Sequence, residues 1–254
     1  RTVLPVPDIH PRIPPADPDK SDPAVSRYFL QWVSPIPDRP PLPDFLCKLG
    51  KSWRDKNPDW EYVYWDKARM DSFVHEYYPF YMDIYNKFPY DVMRWDVIRY
   101  MILYKIGGLY VDFDYECLEP IEPILGEWNC CLGLEPQQHG DLFNRKQVLG
   151  NALMASVAKN SFFLNVLEYI FSQKEGDISN RFFYVLNTTG PFMLTDVYDL
   201  YYDKENIYLI PEEYVSPFTK NDVMLYMNDL VDEDVLDKKL DKAVAVHYFF
   251  GTWY

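Results

Sequence analysis

The stretch from Tyr90 to Ile106 is apolar nearly all the way round and stops at a glycine pair, Gly107-Gly108. The pattern predicts a helix with Asp91 as its N-cap and the glycines as its C-terminal stop. A helix with so little polar surface belongs inside a core. Leu109 to Val111 then reads as a short strand, and two carboxylates, Asp112 and Asp114, sit where that strand ends. Residues i and i+2 of a strand project to the same side, so these two can converge on one hard cation. Two close carboxylates repel unless a cation, a shared proton or solvent relieves them. For an isolated Asp-x-Asp a solvated strand end is the competing reading, and the flanking sequence has to decide.

The flanks alternate between strand and helix patterns. Ala24 to Val33 is β-branched and aromatic and predicts a first strand. Asp44 to Lys56 predicts a helix ended by Asn57-Pro58, Trp60 to Trp65 a strand, and Lys67 to about Tyr77 a helix. Further on come a strand near Asn129 to Leu134 and helices near Asn151 to Ala158 and Ser161 to Ser172. Another helix opens at Gly190-Pro191, and Ile207 to Ile210 and Ala243 to Tyr248 read as two more strands. This alternation indicates an α/β fold with a mostly parallel central sheet flanked by helices. The acidic stretch from Asp229 to Asp241 reads as a solvated helix.

Twelve of the 21 prolines precede residue 45, so residues 1–24 read as a proline-rich extended arm before a single domain over 25–254. A length of 254 residues suits one well-filled core. The formal charge of -14 argues against a nucleic-acid or anionic-membrane surface, both of which call for clustered Lys and Arg. Cys47, Cys117, Cys130 and Cys131 have no metal-ligand spacing, and reduced thiols favour a cytoplasmic setting. No run reaches the ~18 apolar residues of a membrane span. Arg1 is not an initiator, so an upstream anchor is compatible with the chain, as is a Golgi lumen or a secreted or injected toxin.

Asp96 and Arg99 share a face of the apolar helix at i and i+3. On spacing alone they are a helical ion pair. Surrounded by Trp95, Val97, Ile98, Met101 and Ile102, they are also expected to face a cleft. Such buried charges persist only when paired or ligated.

Residues 96–114, Asp-Val-Ile-Arg-Tyr-Met-Ile-Leu-Tyr-Lys-Ile-Gly-Gly-Leu-Tyr-Val-Asp-Phe-Asp, resemble the glycosyltransferase sugar-binding region containing the Asp-x-Asp motif. That region marks glycosyltransferase family 32 and its relatives, the large clostridial glucosylating toxins. Trp53 to Asp66 is similar to the family's Trp…Asn-Pro…Tyr…Trp-Asp segment, Asn151-Ala152 to its Asn-Ala helix start, and Thr189-Gly190-Pro191 to its Thr-Gly-Pro turn. His247 to Trp253 is similar to its terminal His…Gly-Ser-Trp. Two places depart from the pattern. Leu30 stands where the first strand usually carries His, with Trp32 displaced by one position, and Lys159-Asn160-Ser161 replaces a Gly-His-Pro.

The resemblance implies a GT-A type nucleotide-sugar-binding fold and a metal-dependent retaining transferase. It would move a hexose from a UDP- or GDP-sugar, UDP favoured, to a glycan, glycolipid or protein hydroxyl. On that implication Asp112, Asp114 and His247 form the metal site, with Mn²⁺ suited somewhat better than Mg²⁺. Asp96 and Arg99 hold the donor sugar and its diphosphate. Tyr110, Gln31 and Trp32 line the nucleotide, and Trp253 closes over the donor. Glu135, just after Leu134, is within reach of an acceptor, with an ordinary surface carboxylate as the other reading. Two rivals remain: a catalytically silent nucleotide- or glycan-binding module of the same fold, and a metal-dependent phosphohydrolase. The second would show further Asp or His clusters or a Gly-rich phosphate loop, and neither is present.

Overall fold

A computed structural model of the chain describes residues 28–32, 44–173 and 178–250. The proline-rich arm expected over 1–24 and the tail carrying Trp253 lie outside these residues. The first half of the described chain runs β1 (Tyr28–Trp32), α1 (Asp44–Lys56), β2 (Glu61–Trp65), α2 (Lys67–Tyr77), α3 (Met82–Lys87), α4 (Asp91–Lys105) and β3 (Gly108–Val111). It continues with β4 (Tyr115–Cys117), α5 (Glu122–Leu125), β5 (Cys130–Leu134), α6 (Gln137–Leu142), β6 (Leu149–Ser156) and α7 (Ser161–Ser172). The last part holds α8 (Arg181–Thr188), α9 (Pro191–Leu200), β7 (Tyr208–Ile210), α10 (Glu212–Val215), α11 (Lys220–Met227), α12 (Glu233–Leu240) and β8 (Ala245–His247).

Six strands form one sheet in the order β2-β1-β3-β6-β5-β7. β1 pairs in parallel with β2 and β3, and β5 in parallel with β7. β6 runs against both of its neighbours, β3 and β5. Five strands therefore point one way and one is reversed, so the expected α/β class holds with that exception. β4 and β8 make a separate antiparallel ribbon.

The reversed strand is where sequence reading and structure part. Residues 151–158 were expected to open a helix, but Asn151 to Ser156 belong to β6 and are buried along their whole length. A continuous apolar run containing Ala, Leu and Met satisfies a buried helix and a buried central strand equally well. Pairing on both edges decides for the strand. A smaller difference concerns Asp91. Tyr90 holds the N-cap position of α4 without a side-chain cap, while Asp91 is the first helical residue and pairs with Arg94. A carboxylate in the first turn still favours the helix dipole.

Alternating residues of the central strands feed two cores. Tyr110, Cys130, Leu132 and Met154 pack with α4, α7 and α9, including Val97, Met101, Phe162, Phe163 and Met193. Leu109, Val111, Cys131, Leu153 and Ala155 face the other way, onto Trp53, Tyr115, Ile121, Leu125, Val215 and Ala245. α4 buries ten of its fifteen residues, which accounts for its uniform apolarity.

The turn from α4 to β3 depends on Gly107. Its φ is +77°, and its N–H reaches Leu103 O at 3.0 Å. A Cβ there would meet Ala158 N at 2.6 Å and Ser156 O at 2.8 Å. Both the left-handed backbone and the close approach of the β6–α7 connection demand glycine. Gly107→Ala is therefore expected to cost roughly 1–3 kcal/mol in strain. In thermal unfolding this appears as a loss of about 2–12 °C for a domain of this size; an unchanged midpoint would refute the requirement.

Candidate functional site

β3 ends at Val111, and the next three residues make a tight turn in which Tyr115 N–H donates to Asp112 O at 3.2 Å. Asp112 and Asp114 thus converge by way of this turn, where the sequence suggested alternation along a strand. β4 leaves the turn and pairs with β8, setting Tyr115 opposite His247. The His247 ring stacks on Tyr115 at 4.4 Å with planes 8° apart. As a result Asp112, Asp114 and His247 each offer one ligand atom within 4.8 Å of the others. Ligand atoms about 2.0–2.6 Å from a shared divalent cation have such mutual separations. Two carboxylates and an imidazole therefore fit Mn²⁺ or Mg²⁺, with the nitrogen favouring Mn²⁺.

Each member is held by neighbours. His247 Nε2 lies 3.3 Å from Asp114 Oδ1, and the Phe250 N–H donates to Asp114 Oδ2 at 3.0 Å. Burial raises the Asp114 pKa, but the His247 charge and hydrogen bond and the Phe250 amide outweigh it, leaving the carboxyl below its usual value. Burial works against protonation of His247, yet Asp114 and Asp112 hold its pKa above the ordinary imidazole value. Burial raises the Asp112 carboxyl, opposed by Arg99 and assisted by Asp114. Tyr110 hydroxyl donates to Asp112 Oδ1.

Behind Asp112 lies a buried polar cluster. Arg99 Nη1 donates to Asn151 O at 2.8 Å and sits 3.2 Å from Asp112 Oδ1, while Nη2 is 3.2 Å from Asp96 Oδ1. Its Nε contacts Trp95 O at 3.3 Å, and its guanidinium carbon stands 4.7 Å above the Tyr110 ring. Asp96 accepts Asn151 Nδ2 and Thr189 Oγ1, both at 2.9 Å. Tyr100 joins the cluster through Asn151 Nδ2 at 3.1 Å and Thr189 O at 2.8 Å. Burial pushes the Asp96 carboxyl up to about 6 against the pull of Arg99, Thr189 and Asn151. Burial also opposes the Arg99 charge, which Asp112, Tyr110 and Asp96 hold above its ordinary pKa.

The structure brings Asp96, Arg99, Tyr110, Asp112, Asp114 and His247 together. It places Asp96 and Arg99 deeper than an open cleft, with side chains 6% and 7% exposed, whereas Asp112 is 28% exposed. Gln31 and Trp32 lie on β1 beside β3, with Gln31 in register with Val111. Sequence reading did not assign the roles of Asn151 and Thr189 as partners of Asp96, although both stand in quoted motifs. The Phe250 amide has no side-chain signature at all.

Residues 43–130 match the family described as the glycosyltransferase sugar-binding region containing DXD motif. Inositol phosphoceramide mannosyltransferase 3 of Schizosaccharomyces pombe is 44% identical over 84 residues, 33% of this chain and 24% of that protein. Mannosyl phosphorylinositol ceramide synthase CSH1 of Saccharomyces cerevisiae is 29% identical over 163 residues, 63% of this chain and 40% of that protein. The chain thus aligns with less than half the length of either relative. A solved structure, the PaToxG glycosyltransferase, covers 85% of this chain and 79% of its own at a TM-score of 0.47 and 13% identity. No helix among the described residues is long and apolar enough to cross a membrane. Residues 43–130 thus carry the match to the glycosyltransferase sugar-binding region containing DXD motif, and Asp112 and Asp114 are the Asp-x-Asp pair within that stretch.

Proposed function

We propose that this chain is a metal-dependent retaining mannosyltransferase that takes its sugar from a nucleotide donor and delivers it to a hydroxyl of a glycolipid or glycan. The observation that carries this reading is the convergence of Asp112, Asp114 and His247 on one point, backed by Arg99. Mannose is the sugar named for several relatives, which puts GDP ahead of UDP as the base to test. A cation held by Asp112, Asp114 and His247 would supply Lewis-acid stabilisation to the departing diphosphate.

The protein's own contribution is preorganisation. Arg99 and Tyr110 orient Asp112, the Phe250 amide and His247 orient Asp114, and Tyr115 fixes the His247 ring. Ligands locked from behind need little reorganisation when charge develops. Asp96 and Arg99 border the donor sugar and diphosphate in this reading, but their enclosure makes holding Asp112 and Asn151 in place their first task. Retention follows the family resemblance, with attack on the face from which the diphosphate leaves. Gln31, Trp32 and Trp253 are assigned to the nucleotide pocket on the same basis, within one domain over 25–254.

Unfolding midpoints measured with Mn²⁺ and GDP or UDP test the donor site. A nucleotide at ~100 times its dissociation constant adds about 2.7 kcal/mol, or roughly 5–10 °C. The expected result is a metal-dependent rise with one nucleotide that Asp114→Asn abolishes. Release of mannose from GDP-mannose then separates an enzyme from a silent binding module. No rise with either nucleotide would remove the transferase reading.

Arg99 makes a separate prediction. Removing one partner of a buried ion pair typically costs about 3–5 kcal/mol, because the remaining charges lose their compensation. Arg99→Met should lose that much in urea unfolding, stranding Asp96 and Asp112. Arg99→Lys, a point charge without the planar fork, should recover part of the stability while weakening the nucleotide-induced rise. A stable Arg99→Met protein would show that the cluster is dispensable.

A further inference from the structure

Glu135 follows β5 at the same end of the sheet where Asp112 follows β3. The two flank the start of β6: Glu135 N–H donates to Val148 O at 2.9 Å, and Asp112 N–H to Ala152 O at 2.8 Å. Gly150 makes room for the Glu135 side chain. A Cβ there would lie 3.3 Å from Glu135 Cγ and 3.7 Å from Oε1. From α6, His139 fixes the carboxylate, with Nδ1 and Oε2 2.9 Å apart. His139 Nε2 faces the Lys220 N–H at 3.4 Å. His139 thus bridges Glu135 and the start of α11.

This leaves Glu135 Oε1 with no hydrogen bond among the described residues, on a side chain 18% exposed. The pair opens onto the same region as the carboxylate turn. Phe249 lies between the two histidines, its ring centroid 4.9 Å from His139 and 3.9 Å from His247. Its φ of +47° is one that a bulky residue keeps only when its surroundings impose it. The Glu135 charge also contributes to holding the His247 imidazole above its usual pKa, which agrees with their proximity. A carboxylate locked on one oxygen and open on the other is a ready acceptor for a hydroxyl proton.

We propose that Glu135 Oε1 receives the attacking hydroxyl of the sugar acceptor and aims it at the donor bound beside Asp112 and Asp114. His139 and Gly150 are positioning residues for that carboxylate. The proposal rests on the transferase reading and adds the acceptor end of the site. The ligand it implies is a polyhydroxylated head group, an inositol or a hexose.

The test compares wild-type protein with Glu135→Gln and Gly150→Ala in Mn²⁺ and GDP-mannose, with inositol phosphoceramide in detergent micelles or methyl α-mannoside as acceptor. Free mannose and mannosylated product are counted separately. Loss of a charge-assisted hydrogen bond predicts that Glu135→Gln lowers the ratio of transfer to hydrolysis roughly 10–100-fold, mainly through the acceptor KM. The GDP-induced rise in unfolding midpoint should persist. Gly150→Ala, which keeps the carboxylate but pushes it aside, should shift the ratio the same way and less. Equal losses of transfer and hydrolysis, or an unchanged ratio, overturn the assignment alone. So does a wild-type protein that hydrolyses the donor and mannosylates neither acceptor. A wild-type protein that binds neither GDP nor UDP overturns the transferase reading beneath it.

Discussion

The guanidinium of Arg99 lies buried between two carboxylates, and much of the molecule is arranged around its accommodation. A charge in that position is tolerable only with near-complete hydrogen bonding. Four partners come from three places: Asp96 and the Trp95 carbonyl on α4, Asp112 after β3, and the Asn151 carbonyl on β6. Asn151 in turn ties Asp96 to Tyr100, and Thr189 secures the other Asp96 oxygen. A single ionic cluster thus joins helix, turn and reversed strand. Its outer member, Asp112, is the part that reaches solvent.

That cluster could not be assembled without the sharp reversal at Gly107, which returns the chain from α4 into β3 with no intervening loop. The helix and the carboxylate turn are therefore spaced by rigid elements. Rigid spacing suits a site whose donors must stay in place while charge moves through it.

Much of this was legible in the chain. The helix over Asp91–Lys105, its glycine stop, the strand and the Asp-x-Asp pair all follow from local pattern, because burial, turn chemistry and charge agree there. Legibility failed where tertiary partners decide. The Leu149–Ser156 run carries no periodic signal separating strand from helix, and only edges offered by β3 and β5 settle it. The Asp96 contacts to Asn151 and Thr189 span 55 and 93 residues, beyond any spacing rule. Gln31 and Trp32 could be placed by register on β1, and no further.

The pairing of β4 with β8 has a consequence for how the site comes into being. Asp112 and Asp114 emerge from the ribosome long before His247, and the Phe250 amide that holds Asp114 lies 136 residues beyond it. Closing so long a loop is entropically costly, and contacts of that range form late. The two carboxylates must therefore spend the early life of the chain as a mutually repelling pair, without their imidazole. In the proposed reading, competence to hold a cation would arrive only with β8, so an assembled Asp112–Asp114–His247 cluster would itself report that these distant parts of the chain have come together.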